Sequence, residues 1–329
     1  MDSSFSLKTQ DRPEVVGVID IGSNSIKSLV ARRDSAGFPQ GIYEHAEETR
    51  LSGGISGNPP LISQQTIEAG ISSIVSLLEG MERFQPERIQ LVATSAVRDA
   101  ANQELFAKAI LQRTGQSLQI LSGHDEALGI AAGLQSDPAF RHESELSVFD
   151  IGGGSLEHIN FQSGKIAQAI STELGAVRMT QRFIQNPQNP IIEKEMHAIR
   201  KHTLEVLREA GVQPRITAKA VGTGGGFTIT RRILAMRGVG KASGDSPIIS
   251  VENLRGIFEN LYPMLWNERS NLSGLPRTRA DIYPAAIATL LALAEYLEVD
   301  RFYHSYYNLR YGIARLMMLG KPITDREDT

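Results

Sequence analysis

Val18-Ile19-Asp20-Ile21-Gly22-Ser23-Asn24-Ser25 and Val148-Phe149-Asp150-Ile151-Gly152-Gly153-Gly154-Ser155 are two versions of one phrase. Each closes an apolar run with aspartate, one further apolar residue and glycine, and each keeps a serine at the same distance from the aspartate. A second β-rich run follows in both copies, at 26–31 and at 156–161, so both read as strand, tight turn, strand. A unit recurring at long spacing implies two related domains.

The segments around the first copy alternate strand and helix. The pattern predicts strands at 15–20, 26–31, 89–93 and 118–121. It also predicts a helix behind Ser63 with apolar positions Ile67, Ile71, Ile74, Val75, Leu78 and Met81, and a second helix at 99–113 stopped by Gly115. After the second copy, Gln162-Ser163-Gly164 turns the chain into a third meander strand, 165–174, and a helix follows from about Ile192 to Ala210, stopped at Gly211. Strand 216–221 then enters Gly222-Thr223-Gly224-Gly225-Gly226, with a helix expected from Phe227 onward. This alternation is the α/β class.

Composition sets outer limits. With 329 residues, 41% apolar and 22% charged, the chain can bury a core and divide into two domains. No stretch approaches the roughly 20 apolar residues of a membrane helix, and the opening lacks the basic-then-apolar order of a signal peptide. Cysteine is absent, which fits a reducing compartment; the expectation is a cytoplasmic protein with no membrane partner. A net charge of −3 argues against a nucleic-acid surface. Residues 1–13 and 321–329 are polar and aperiodic, and read as mobile tails.

Three glycine turns, at Gly22-Ser23-Asn24-Ser25, Gly152-Gly153-Gly154-Ser155 and Gly222-Thr223-Gly224-Gly225, can each offer backbone N–H groups to a phosphate. Asp20 and Asp150 close apolar strands, a position that costs stability unless the carboxylate is hydrogen-bonded, paired or beside a metal. Asp125 and Glu126 open the helix after Gly123. Either carboxylate could orient water toward phosphorus, and either could merely complement the helix dipole.

This set of residues resembles the Ppx/GppA phosphatases (exopolyphosphatase and guanosine pentaphosphate phosphatase), a branch of the actin, sugar-kinase and Hsp70 superfamily. VIDIGSNSIKSLV and SVFDIGGGSLEHI are similar to that family's two phosphate motifs, and ATSAVRDAAN to its arginine-bearing segment. LSGHDEALGI is similar to its catalytic segment. ELGAVRMTQRF, AVGTGGGFTIT and the stretch from RADIYPAAI to LRYGIARLM also match family segments.

The resemblance implies an actin-like ATPase (ribonuclease H-like) fold. Domain I would span 1–123, completed by a returning helix at 309–320, and domain II would span 124–308, with no HD-like domain after it. It also selects Glu126 as the general base. Phosphate charge calls for a divalent ion, Mg2+ with Mn2+ as substitute, on Asp150 and Glu157, with Asp20 acting through water. Glu157 shares the side of the pleat with Ser155. Arg98, following Thr94-Ser95-Ala96, is the leading guanidinium for phosphate, ahead of Lys27, Arg178 and Arg310. Arg231, Arg232, Arg237 and Lys241 form a further cationic group.

The chain departs from the family pattern at Leu128, Leu156, Tyr306 and Tyr311, which bears on substrate choice and rate. The leading expectation is exopolyphosphatase action on inorganic polyphosphate. Removal of a phosphate from guanosine pentaphosphate, a noncatalytic polyphosphate or alarmone sensor, and a related kinase are the competing readings. A homodimer stays open.

Overall fold

The computed structural model describes residues 13–239 and 247–323. It opens with an antiparallel meander of β1 (Val15–Ile21), β2 (Ile26–Arg33) and β3 (Pro39–Glu47). The short strands β4 (Ile55–Ser56) and β5 (Leu61–Ile62) lead to α1 (Gln64–Glu82), capped by the Ser63 hydroxyl, which accepts the Thr66 N–H. β6 (Arg88–Ala93), α2 (Ser95–Arg98), α3 (Gln103–Thr114) and β7 (Leu118–Ile120) complete a sheet in the order β3-β2-β1-β6-β7.

After α4 (Gly123–Leu134) the meander returns as β8 (Leu146–Ile151), β9 (Leu156–Gln162) and β10 (Lys165–Thr172). α5 (Ala176–Phe183), α6 (Glu193–Glu209), β11 (Lys219–Thr223), α7 (Gly224–Met236) and β12 (Ile248–Ser250) follow. The chain then runs through α8 (Val251–Leu261), α9 (Trp266–Arg269), α10 (Tyr283–Leu297), β13 (Arg301–His304) and α11 (Leu309–Leu319). The second sheet, β10-β9-β8-β11-β13-β12, repeats the first sheet's order and adds antiparallel β12 at the edge. This doubled arrangement is the actin-like, ribonuclease H-like fold.

Strand alternation explains how the two copies face each other. In β1, Val16 and Val18 join a central core, while Ile19 and Ile21 join the core under α1. In β8, Leu146 and Val148 join the same central core, while Phe149 and Ile151 face the core under α10. With a period of two, Asp20 and Asp150 fall on the central side, one step beyond the valines. Between the two sheets lie α4 and α11, which contribute Ala127, Ile130, Ala131, Ile313 and Ala314 to that core. α11 also packs on β1, β2 and β3.

The α4–α11 crossing is so close that only glycine fits. A Cβ on Gly312 would stand 1.7 Å from the Gly129 carbonyl oxygen, and one on Gly133 would stand 2.2 Å from that of Asn308.

Several expected boundaries move. The helix expected at 99–113 is α3, Gln103–Thr114, and residues 99–102 link it to the short α2. The chain breaks between them because Ala101 N–H bonds the Pro60 carbonyl, and the Asn102 amide bonds both backbone groups of Ile62. The strand expected at 216–221 is β11, Lys219–Thr223, and the helix expected from Phe227 begins at Gly224. Of the expected tails, 1–12 and 324–329 lie outside the described residues, as does Lys241. Pro13 is buried and its carbonyl accepts from Arg33, while Ile323 packs into the central core. No helix among the described residues is long and apolar enough to cross a membrane.

Candidate active site

The cleft between the sheets is lined by Asp20, Gly22, Ser23, Asn24, Ser25 and Lys27 from the first repeat and by Asp150, Gly152, Gly153 and Ser155 from the second. Glu126, Gly224 and Gly225 complete the expected residues on its wall. The space between these walls, open solvent included, is about 810 Å³. The two turns are built alike, since Gly22 N–H bonds Ser25 O at 3.2 Å and Gly152 N–H bonds Ser155 O at 3.0 Å. Ser23 Oγ meets Ser95 Oγ at 3.0 Å, tying the first turn to α2.

Cross-strand neighbours give the two copies opposite character. Asp20 pairs in register with Lys27, and Asp150 pairs in register with Glu157. Burial pushes the Asp20 carboxyl above its ordinary range, with Lys27 opposing the shift, and the same burial pulls the Lys27 ammonium down. Asp150 is pushed up by burial too, against a hydrogen bond of 2.6 Å from the Thr223 hydroxyl. Glu157 is raised well above the carboxylate range by burial and by the charges of Glu126 and Asp150. It is only 1% exposed, and Ser171 Oγ donates to it at 2.7 Å.

Asp125 and Glu126 separate cleanly. Ser122 is the N-cap of α4, its hydroxyl oxygen accepting the Asp125 N–H at 3.1 Å, and the Asp125 carboxylate returns the bond as a capping box, accepting the Ser122 backbone N–H at 3.3 Å. Glu126, next along the helix, is 7% exposed and faces the cleft. Burial raises its carboxyl to about 7, although Arg98 opposes the shift. Arg98 Nη1 donates to Glu126 Oε2 at 3.0 Å and to the Leu121 carbonyl at 3.0 Å. A carboxylate near pH 7 beside a row of turn amides is suited to accept a proton from water.

Other expected residues stand elsewhere. Arg98 points at Glu126 rather than lining the cleft. Thr223 is buried against Asp150, and Gly222 sits within β11 against the Phe227 ring. Gly154 lies behind the turn, its carbonyl taking Arg178 Nε at 3.0 Å. Arg178 also pairs with Asp99 across the domains. Arg310 bonds the Ser28 carbonyl at 2.8 Å and Glu44 at 2.9 Å, and Tyr311 OH bonds Glu44 at 2.9 Å. Thr94, Ser95, Arg279 and Asn308 line the cleft although the sequence reading did not single them out for it. Arg279 opens the RADIYP segment quoted above, which was its only signal.

A divalent ion fits part of this wall. Asp20 Oδ1 is buried without a hydrogen-bond partner, and Asp150 has one oxygen engaged by Thr223. Among the described residues no three metal-ligating side chains converge. The site therefore suits an ion that takes one or two carboxylates and fills its shell from phosphate and water, the habit of magnesium.

The duplicated fold thus holds an acid-lined, amide-rich cleft between its two repeats. Residues 29–320 match the Ppx/GppA phosphatase family, and the chain belongs to that family. It is 24% identical over 315 residues to a putative exopolyphosphatase of Haemophilus influenzae, covering 95% of this chain and 94% of that one. It is also 25% identical over 302 residues to the guanosine-5'-triphosphate,3'-diphosphate pyrophosphatase of Vibrio vulnificus, covering 91% of this chain and 58% of that one. Among solved structures, a Ppx/GppA family member from Aquifex aeolicus superposes with a TM-score of 0.76 at 24% identity, covering 94% of this chain and 98% of that one. An exopolyphosphatase from Cytophaga hutchinsonii gives 0.83 at 21% identity, covering 94% and 100%. At these identities the superpositions speak to the fold.

Proposed function

We propose that the chain is an exopolyphosphatase that releases orthophosphate from the end of inorganic polyphosphate, with Glu126 as general base. One observation carries this reading: a buried carboxylate, raised to about 7, faces a cleft walled by two copies of an aspartate-and-glycine turn. The Glu126 carboxylate takes a proton from water as its oxygen bonds to the terminal phosphorus. The phosphoanhydride P–O bond breaks, and orthophosphate and the shortened chain leave. The turn amides and Lys27 hold the phosphate oxygens, and Arg98 holds Glu126 in place.

Asp150 and Asp20 would hold a magnesium ion, with Glu157 supporting Asp150 from the neighbouring strand; the ion would offset the charge on the phosphates. Removal of a phosphate from guanosine pentaphosphate uses the same groups, and the Vibrio vulnificus relative supports it as the second reading. The whole chain is incubated with magnesium and polyphosphate, guanosine pentaphosphate or ATP, and released phosphate is measured. Fastest release from polyphosphate is expected. Faster release from guanosine pentaphosphate moves the assignment to the second reading, and no release from any of the three refutes both.

A further inference from the structure

At the mouth of the cleft, a carboxylate of the protein itself is held by the groups that would hold a phosphate. Asn24 Nδ2, from the first turn, donates to Glu48 Oε2 at 2.5 Å. Arg279, from the opposite domain, places Nε 3.2 Å from that oxygen and Nη2 3.2 Å from Oε1. The same Nη2 donates to Ser25 Oγ at 3.0 Å, and Nη1 stands 3.8 Å from where a Cβ on Gly225 would be. Asn24, Ser25, Gly225 and Arg279 all line the cleft. Glu48 reaches them from the segment just after β3, with its side chain 29% exposed.

An amide N–H and a forked guanidinium, closing on two oxygens from both domains, form a donor set that phosphate oxygens take equally well. We propose that the Glu48 carboxylate occupies a phosphate subsite of the substrate chain, as a built-in anion that an incoming polyanion displaces from Asn24 and Arg279. The inference rests on the phosphoanhydride reading. A pair this close to solvent is weak enough for a multiply charged chain to break. A substrate carrying few phosphates gains less from doing so, and Glu48 thereby sets the shortest chain the cleft binds well.

The probe is tripolyphosphate, titrated calorimetrically into the whole chain carrying Glu126→Gln so that it is not consumed. Adding Glu48→Gln is expected to tighten binding about fivefold. Glu47→Gln, which removes the same charge one residue away, should change it by less than about twofold. Arg279→Gln should weaken binding, and Glu48→Gln should bring no gain in the Arg279→Gln background. Unchanged or weaker binding in Glu48→Gln overturns the proposal, and so does equal tightening in Glu47→Gln. If wild type hydrolyses phosphoanhydrides yet Glu48→Gln does not tighten, this inference alone fails. If wild type neither binds tripolyphosphate nor hydrolyses any phosphoanhydride, the functional reading fails and takes this one with it.

Discussion

Arg98 offers the sharpest test of the site, because two roles for it predict different kinetics. The structure sets its Nη1 3.0 Å from Glu126 Oε2, whereas its sequence context suggests a phosphate ligand. At an effective dielectric near 20, a charge pair about 4 Å apart is worth about 4 kcal/mol, equivalent to about 3 pH units at 1.36 kcal/mol each. Measured carboxylate–arginine pairs lower the acid's pKa by about 1 to 3 units. Glu126 titrates at about 7 with Arg98 present. Arg98→Gln should therefore move the acid limb of kcat/KM up by about 1 to 3 units.

At pH 7 the ionised fraction of Glu126 then falls from about one half to between about one tenth and one thousandth, a loss of about fivefold to five-hundredfold. The loss should be recovered as pH rises, and Arg98→Lys, which keeps the charge, should return the limb toward its original position. The assay is phosphate release across pH 5.5 to about 10 at subsaturating substrate. An acid limb that stays in place while KM rises would show that Arg98 serves the phosphate, and the positioning argument would be wrong.

Glu126→Gln should lower turnover by about two to four orders of magnitude while tripolyphosphate binding persists; near wild-type turnover would remove Glu126 from the chemistry. Because the folded-state pKa of Glu126 is raised from 4.5 to about 7, its stabilising contribution is complete below about 4.5 and is lost as pH rises through about 7. Denaturant unfolding at pH 5 and pH 8 should accordingly show wild type losing about 2 to 3 kcal/mol more than Glu126→Gln over that interval. Asp150→Asn should raise the magnesium concentration needed for half-maximal activity more than Glu157→Gln does, since Asp150 lines the cleft and Glu157 lies behind it; full activity in excess chelator contradicts the ion assignment. Gly312→Ala should cost roughly 1–3 kcal/mol or more, because its Cβ collides with backbone that cannot swing aside. Thermal unfolding checks it.

The duplicated aspartate–glycine phrases were legible because they are local: apolar run, acid and turn follow one another in the chain, and their period of two sends both acids to one face. The Ser63 cap and the Gly115 stop were legible for the same reason. What escaped was set by distant partners. Residues 99–102 look helical on their own, and only Pro60 and Ile62 pull them out of the helix. Gly224-Gly225-Gly226 reads as a loop by propensity, yet it opens α7, with Asp150 and Ile151 packed too close for a side chain at Gly224 or Gly226. A Cβ on Gly224 would stand 2.3 Å from Asp150 Oδ1, and one on Gly226 would stand 2.5 Å from Ile151 Cγ2. Arg98 was read as the leading guanidinium for phosphate, and its partner Glu126 could not be read from spacing. Arg279 reaches Ser25 from 254 positions away, which no window along the chain would connect.

The glycine crossing of α4 and α11 sets the spacing of two walls of the cleft. Gly129 lies three residues from Glu126, about 4.5 Å of helical rise, and Asn308, which caps α11, is itself on the cleft wall. With backbone against backbone, the two helices have no side-chain cushion to compress. A side chain at position 312 or 133 therefore finds room only by driving α4 and α11 apart. Glu126 rides on one of these helices and Asn308 on the other, so a wedge at the crossing would change the width of the cleft at the point where Glu126 stands.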